Sequence, residues 1–181
     1  MRVIAGTARS IPLIAPAGID TRPTTDKIKE TLFNMINFDL PDSVFVDLYS
    51  GSGAIGIEAI SRGAKHAYFV DNSRKCADVI KANLSKCRFT DQATMITRDA
   101  KDSLFMINDN PDIIFMDPPY EQNCEYEIME VLLRSGLCGK DTLIIIESKI
   151  DRDFSDITNL GYTIIKEKKY KNNKHTFFNI S

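Results

Sequence analysis

The chain has 181 residues, with 23 Lys and Arg against 25 Asp and Glu, two His, four Cys and no Trp. At 43% hydrophobic and 27% charged it has the make-up of one soluble globular domain, and no apolar run approaches the ~18 residues needed to cross a bilayer. Membrane, secreted, fibrous and disordered classes are therefore excluded at this level, and the Met1–Gly6 start lacks the apolar stretch of a signal peptide.

Cys76, Cys87, Cys124 and Cys138 form no C-x-x-C pair, and only His66 and His175 accompany them, so no zinc-ligand spacing is present. Four reduced thiols in a cytoplasmic, metal-free protein are expected. The net charge of −2 speaks against a generic nucleic-acid binder, but its distribution is uneven. Residues 1–30 carry +2, 31–90 carry +1, 91–147 carry −8 and 148–181 carry +3. Should the two ends meet in space, they make a modest basic face on an acidic body.

Residues 2–5 and 11–15 are short apolar runs around Gly6–Ser10 and read as a β-hairpin or two edge strands, with Pro12 and Pro16 keeping them at an edge. Thr24 or Thr25 caps a helix running to about Ile36, with Ile28, Leu32, Phe33 and Ile36 on one stripe. From residue 43, apolar runs at 43–48, 66–71, 93–97, 112–116 and 142–147 alternate with helical stretches at about 54–62, 73–87, 101–108 and 124–135. This alternation predicts a parallel sheet covered on both faces. The runs 161–166 and 174–180 have no helix between them and predict an antiparallel hairpin at one edge. The expected fold is α/β: a Rossmann-like, doubly wound, mostly parallel seven-stranded sheet. A small extension, residues 1–20, precedes the main domain, residues 21–181.

Asp47-Leu-Tyr-Ser-Gly51-Ser-Gly53-Ala-Ile-Gly56 holds a G-x-G-x-x-G that follows a strand and opens a helix. That pattern alone is weak. Asp47, at the strand end, would repel a pyrophosphate but attract a cationic ligand. Asp71 closes the next strand twenty residues after Gly51, where a carboxylate can accept both hydroxyls of a ribose. Two carboxylates and this loop suit S-adenosylmethionine, and Tyr49, Ser50, Gly51, Gly53 and Asn72 join them in the expected cofactor site. Asp99, with Ala100 beside it, either accepts from an adenine amino group or caps the helix that follows.

After the fourth strand, Asp117-Pro118-Pro119-Tyr120 makes a rigid elbow with exposed carbonyls. Methylating an exocyclic amine on a base needs such a group. Two acceptors hold the amine hydrogens, here Asp117 and an elbow carbonyl, and an aromatic ring, here Tyr120, stacks the base.

The set Asp47, Gly51, Gly53, Asp71, Asp99 and Asp117–Tyr120 resembles the class I, Rossmann-like methyltransferases acting on amino nitrogens. Thr21-Arg-Pro-Thr-Thr-Asp-Lys-Ile-Lys-Glu-Thr-Leu-Phe-Asn34, with Met1–Gly6 before it and Gly56–Ala64 after, looks like the bacterial 16S rRNA guanine-N2 methyltransferases, of the guanine(966) type. The resemblance covers nearly the whole chain. It implies that Arg22 and Thr24 lie over the donor's amino-acid end and that Asp71 holds ribose. Asp99 then meets adenine, and Asp117 and Tyr120 form the catalytic pair, with S-adenosylhomocysteine as the spent product. It also implies an N-terminal hairpin that grips RNA within the 30S subunit or its precursor, with ribosomal proteins as possible contacts for a monomeric enzyme. Arg2, Arg9, Lys169 and Lys171 are the expected RNA contacts. Two features depart from the family: Thr7–Pro12 keeps only Arg9 as a basic residue, and Tyr170 is followed by Lys171 rather than glycine. Both bear on RNA grip.

Rival readings are a DNA adenine or protein glutamine methyltransferase, an NAD-dependent oxidoreductase, and a non-catalytic ribosome-assembly factor. The remaining conspicuous residues receive plain readings. Met95, Met106, Met116 and Met129 are expected in the core, and His66 and His175 in surface or packing roles without partners. Glu58 and Arg62 read as a helix-surface pair. Lys166, Lys168, Lys169, Lys171 and Lys174 read as a solvated edge or an RNA contact.

Overall fold

The computed structural model describes residues 1–16, 25–119 and 124–181. Its strands are β1 (Val44–Leu48), β2 (His66–Val70), β3 (Ala93–Ile96), β4 (Ile113–Met116), β5 (Leu143–Lys149), β6 (Tyr162–Lys169) and β7 (Asn173–Ile180). They form one sheet in the order β3-β2-β1-β4-β5-β7-β6. The first five run parallel, and β7 runs antiparallel to both β5 and β6. The expected Rossmann-like architecture with a C-terminal hairpin is therefore present.

The helices are α1 (Asp26–Met35), α2 (Ala54–Ser61), α3 (Arg74–Cys87), α4 (Ala100–Ser103), α5 (Cys124–Ser135) and α6 (Ser155–Asn159). Helices α1, α2 and α3 pack on one face of the sheet around Phe33, Phe45, Phe69 and Phe115, and α4, α5 and α6 pack on the other around Leu48, Met116 and Ile146. Both faces are dry, which is why the central strands read as unbroken apolar runs. Of the two candidate caps for α1, Thr25 does the work, its hydroxyl accepting from the Ile28 N–H at 3.3 Å.

Residues 1–13 form a short antiparallel ribbon with one bridge, Arg2 to Pro12, rather than two strands. Val3 N–H donates to Ile11 O at 3.0 Å and Ser10 N–H to Val3 O at 2.9 Å. The ribbon closes onto α2. Gly6, at φ +81°, comes so near that an added Cβ would lie 1.7 Å from Ser61 O, while the Thr7 and Ala8 N–H groups donate to Ser61. Asn83 of α3 holds the other end, exchanging hydrogen bonds with both backbone groups of Ile14. Val3, Ala8 and Leu13 are part of the core. Among the described residues no helix is long and apolar enough to span a membrane.

Three local expectations need correction. The helix expected at 101–108 ends at Ser103 and tightens into a 3₁₀ turn, Leu104–Met106. Its buried residues, Leu104 and Ile107, are three apart, which suits three residues per turn. Met106 is consequently 48% exposed and not in the core. Helix α6 was not foreseen, because its five residues bury only Ile157.

Candidate functional site

The carboxyl ends of β1 and β4 open into a cleft of about 320 Å³, roomy enough for a nucleoside-sized ligand. Tyr49 turns the chain out of β1 in the left-handed region, at φ +63°, uncommon for a non-glycine residue. Gly51 and Gly53 continue the turn at φ +55° and +77°. Gly56 lets α2 lie close on the sheet, since a Cβ there would meet the Phe69 ring at 2.4 Å.

Asp47, Tyr49, Ser50, Gly51, Asp71 and Asn72 all line this cleft, together with Lys29, Ser73, Phe115 and Asp117. Gly53 is buried at the start of α2 and serves the turn. The Asp71 carboxylate accepts from Gly51 N–H and Ser73 N–H, both at 2.9 Å, which fixes its direction and leaves lone pairs for a ligand. Asp99 accepts from Lys101 N–H at 2.9 Å as the N-cap of α4, so the capping alternative is realised; neither Asp99 nor Ala100 is among the cleft-lining residues.

The electrostatics are unusual for a loop of this kind. Asp47 is 1% exposed and accepts from Gly56 N–H at 3.0 Å. Burial raises its pKa to about 7, the Gly56 bond opposing and the Asp71 charge assisting. Asp117 is pushed up to about 8 by burial and then by the charges of Glu147 and Asp47. The lysine that lines the cleft does not neutralise them. Lys29 lines the cleft, yet its ammonium lies 3.3 Å from Glu58 and donates to Arg2 O at 2.6 Å. A phosphate would meet three carboxylates here, whereas a cationic ligand would relieve their repulsion.

Glu58 is not the helix-surface residue the sequence suggests. It is fully buried, paired with Lys29 and, at 2.8 Å, with Arg62, and it accepts the Ile4 and Ala5 N–H groups at 2.8 and 3.0 Å. The docked ribbon covers the outer face of α2, which the i, i+4 spacing alone cannot reveal. Burial lowers the Lys29 pKa, and Glu58 opposes that shift.

Past β4, Pro118 is buried and Pro119 exposed, while Tyr120 lies outside the described residues, as do Arg22 and Thr24. At the elbow a second cavity of about 290 Å³ is walled by Pro118, Glu125, Glu147, Ser148 and Arg152, among others. Glu147 of β5 faces His175 directly across the β5–β7 ladder. The two side chains meet at 2.8 Å through Nε2, and the His175 Nδ1 lies 3.1 Å from the Tyr170 hydroxyl. His175 is fully buried and edge-on to the Phe115 ring, so the packing alternative holds for it, with hydrogen-bond partners that the sequence does not show. His66 also has a partner, Thr94 Oγ1 at 2.9 Å. Neither contact was visible in sequence, because each is made across paired strands between residues 28 positions apart.

Of the expected RNA contacts, Lys169 and Lys171 are exposed where the β6–β7 turn meets the carboxyl end of β5, the same end as the elbow. Arg2 is exposed beside the cleft and lies 3.5 Å from Asp26. Arg9 sits in the ribbon turn that packs on Ser61, at the other end of α2 from the cleft. Lys174 is buried and bonded to Glu167 at 2.5 Å, which removes it from the basic edge.

Over residues 1–179 the chain matches the family described as Conserved hypothetical protein 95. It is 35% identical over 172 residues to a candidate rRNA methyltransferase of Bacillus subtilis, covering 93% of this chain and 92% of that one. It is 34% identical over 174 residues to the ribosomal RNA small subunit methyltransferase D of Haemophilus influenzae, covering 93% and 88%. The solved structure of a candidate methyltransferase from Escherichia coli superposes with a TM-score of 0.83 at 27% identity, covering 99% of this chain and 97% of that one.

Proposed function

The chain belongs to the Conserved hypothetical protein 95 family, together with the ribosomal RNA small subunit methyltransferases D, and from that premise we propose that it is an S-adenosylmethionine-dependent rRNA methyltransferase. The finer reading is methylation of the exocyclic N2 amine of a guanine in 16S rRNA, on an assembled or assembling small ribosomal subunit in the cytoplasm. The observation that carries the chemistry is the convergence of Asp47, buried, and Asp117, half-buried, two carboxylates with raised pKa values, on one cleft beside a glycine loop and a double-proline elbow.

The cleft fits this donor by its acceptor chemistry. Asp47 faces the cationic amino-acid end, and Asp71 with Asn72 takes the ribose hydroxyls. Asp99, besides capping α4, and Ala100 are read as bounding the adenine just beyond the residues that line the cleft, and Arg22 and Thr24 as completing the amino-acid end. When bound, S-adenosylmethionine supplies a methyl group on a cationic sulfur. Asp117 and an elbow carbonyl hold the two hydrogens of the amine, which localises its lone pair for attack, and Tyr120 stacks the base. The amine must shed a proton in the reaction, and Asp117, its pKa raised to about 8 by burial, can accept that proton when it is ionised.

Residues 1–20 are read as an RNA-gripping extension of the methyltransferase domain at 21–181, with Arg2, Arg9, Lys169 and Lys171 as phosphate contacts on 16S rRNA and ribosomal protein as a further partner of a monomer. The deciding experiment offers labelled donor with 30S particles, duplex DNA and protein in parallel. Incorporation into 16S rRNA at a guanine N2 supports the reading, and incorporation into DNA or protein alone overturns it. Stabilisation by S-adenosylhomocysteine but not by NAD separates it from an oxidoreductase.

A further inference from the structure

The second cavity contains a fixed carboxylate that the mechanism above does not use. Strand β4 pairs with β5 up to Met116 and Ile146, so Asp117 and Glu147 stand one step further along the same register and on the same face of the sheet. Glu147 is 4% exposed and lines the cavity beyond Pro118. Two side chains from β7 hold it: Asn173 Nδ2 donates to Oε1 at 2.5 Å, and His175 Nε2 lies 2.8 Å from Oε2. The imidazole tautomer with its proton on Nε2 donates to Glu147 and accepts from the Tyr170 hydroxyl on Nδ1, which satisfies all three groups. Each carboxylate oxygen thus has one partner behind it and a lone pair left over.

We propose that Glu147 reads the target base as guanine, accepting its N1–H while Asp117 and the elbow carbonyl hold the neighbouring N2 amine. The proposal rests on the guanine-N2 reading given above and adds the residue that enforces it. A guanine extruded from its helix presents two adjacent donors, N1–H and N2–H, on its Watson–Crick edge. Two carboxylates side by side match that pair. Adenine presents a ring nitrogen lone pair beside its amine, and a glutamine side chain presents a carbonyl oxygen beside its amide. Either would set an acceptor lone pair against the Glu147 carboxylate with no hydrogen between them. Arg152 also lines this cavity, with its guanidinium already taken up by Glu125, Asp156 and the Asp153 carbonyl. After burial, the charge of Glu147 is the next largest influence on Asp117.

The test uses 2-aminopurine, which keeps the 2-amino group and lacks N1–H. Small subunits are reconstituted from 16S rRNA carrying guanosine or 2-aminopurine riboside at the mapped target, and methyl incorporation from labelled S-adenosylmethionine is followed. The wild-type protein is expected to prefer guanine at least tenfold in kcat/KM. Glu147→Gln is expected to cut that ratio below about threefold by slowing guanine, with S-adenosylhomocysteine binding unchanged. Equal wild-type rates on the two bases overturn the proposal and leave the rRNA reading standing, and the wild-type ratio needs no variant to fold. A variant that binds S-adenosylhomocysteine normally and keeps the full preference also overturns it. Absence of methylation on the guanine particles overturns the rRNA reading and this proposal with it.

Discussion

Glu58 and Glu147 are both buried glutamates, yet their surroundings are opposite. Glu58 sits between two cations, Lys29 and Arg62, and accepts two backbone N–H groups from the N-terminal ribbon. Glu147 has an asparagine and a histidine behind it and adds its charge to the repulsion on Asp117. A carboxylate whose charge is fully paired serves the fold, because removing it strands its partners. A carboxylate left among others of its own sign stores unfavourable charge that an incoming ligand can relieve, which is what a binding site requires. The same residue type therefore acts as a rivet on one side of the molecule and as part of a receptor on the other.

The largest expected effect tests the receptor side. Asp117→Asn is expected to lower methyl incorporation roughly 10²- to 10³-fold, the usual cost of removing one acceptor or donor aimed at a reacting centre. S-adenosylhomocysteine binding, followed calorimetrically, should survive. Retained transfer would remove Asp117 from the chemistry and dissolve the contrast with Glu58.

The rivet side is tested by stability. Glu58→Gln leaves Lys29 and Arg62 without their anion and is expected to cost about 3–5 kcal/mol in urea unfolding, in line with breaking a buried ion pair. Proteolysis should open the ribbon first. A loss below 1 kcal/mol would mean that the ribbon is held by its bonds to Ser61 and Asn83 rather than by Glu58.

The pH dependence of stability sharpens the comparison further. Asp47 and Asp117 have folded-state pKa values of about 7 and about 8, above the unfolded value of 3.8. Between pH 4 and 8 the folded chain therefore binds more protons than the unfolded one. Their contribution is fully present below pH 4 and lost as pH rises through 7 to 8, by at most about 1.4 kcal/mol per pH unit for each group. Urea midpoints of the ligand-free protein should fall over this range, and Asp47→Asn should flatten the slope. A flat profile for the wild-type protein would show that the cleft charges are compensated as Glu58 is.

The smallest effect lies outside both clusters. Asp99→Ala removes the N-cap of α4 and is expected to cost about 1 kcal/mol by thermal unfolding, whereas Asp99→Asn should keep the cap. If Asp99 also meets adenine, the alanine variant will bind S-adenosylhomocysteine several-fold more weakly. Unchanged binding would leave Asp99 as a cap alone.

Much of the fold was legible because its signals are local. A strand buried on both faces must be apolar throughout, so each parallel strand was recognised within two residues of its ends. The glycine loop and the elbow were legible for the same reason: Gly56 must lack a Cβ to clear Phe69, and two prolines must end a strand. Helix α6 was missed because five residues burying a single isoleucine make no periodic pattern. Glu58 was misread because its spacing to Arg62 is that of any exposed helix pair, and only the docked ribbon turns that face inward.

The sequence by itself determined where strands and helices fall and which end of the sheet carries glycine, carboxylate and proline, since periodicity and backbone sterics act over a few residues. The tertiary structure decided which of the buried charges are neutralised. That depends on register and docking between distant segments, β5 against β7 for Glu147 and His175, residues 4 and 5 against α2 for Glu58, and no short-range pattern encodes which residue will stand across the gap.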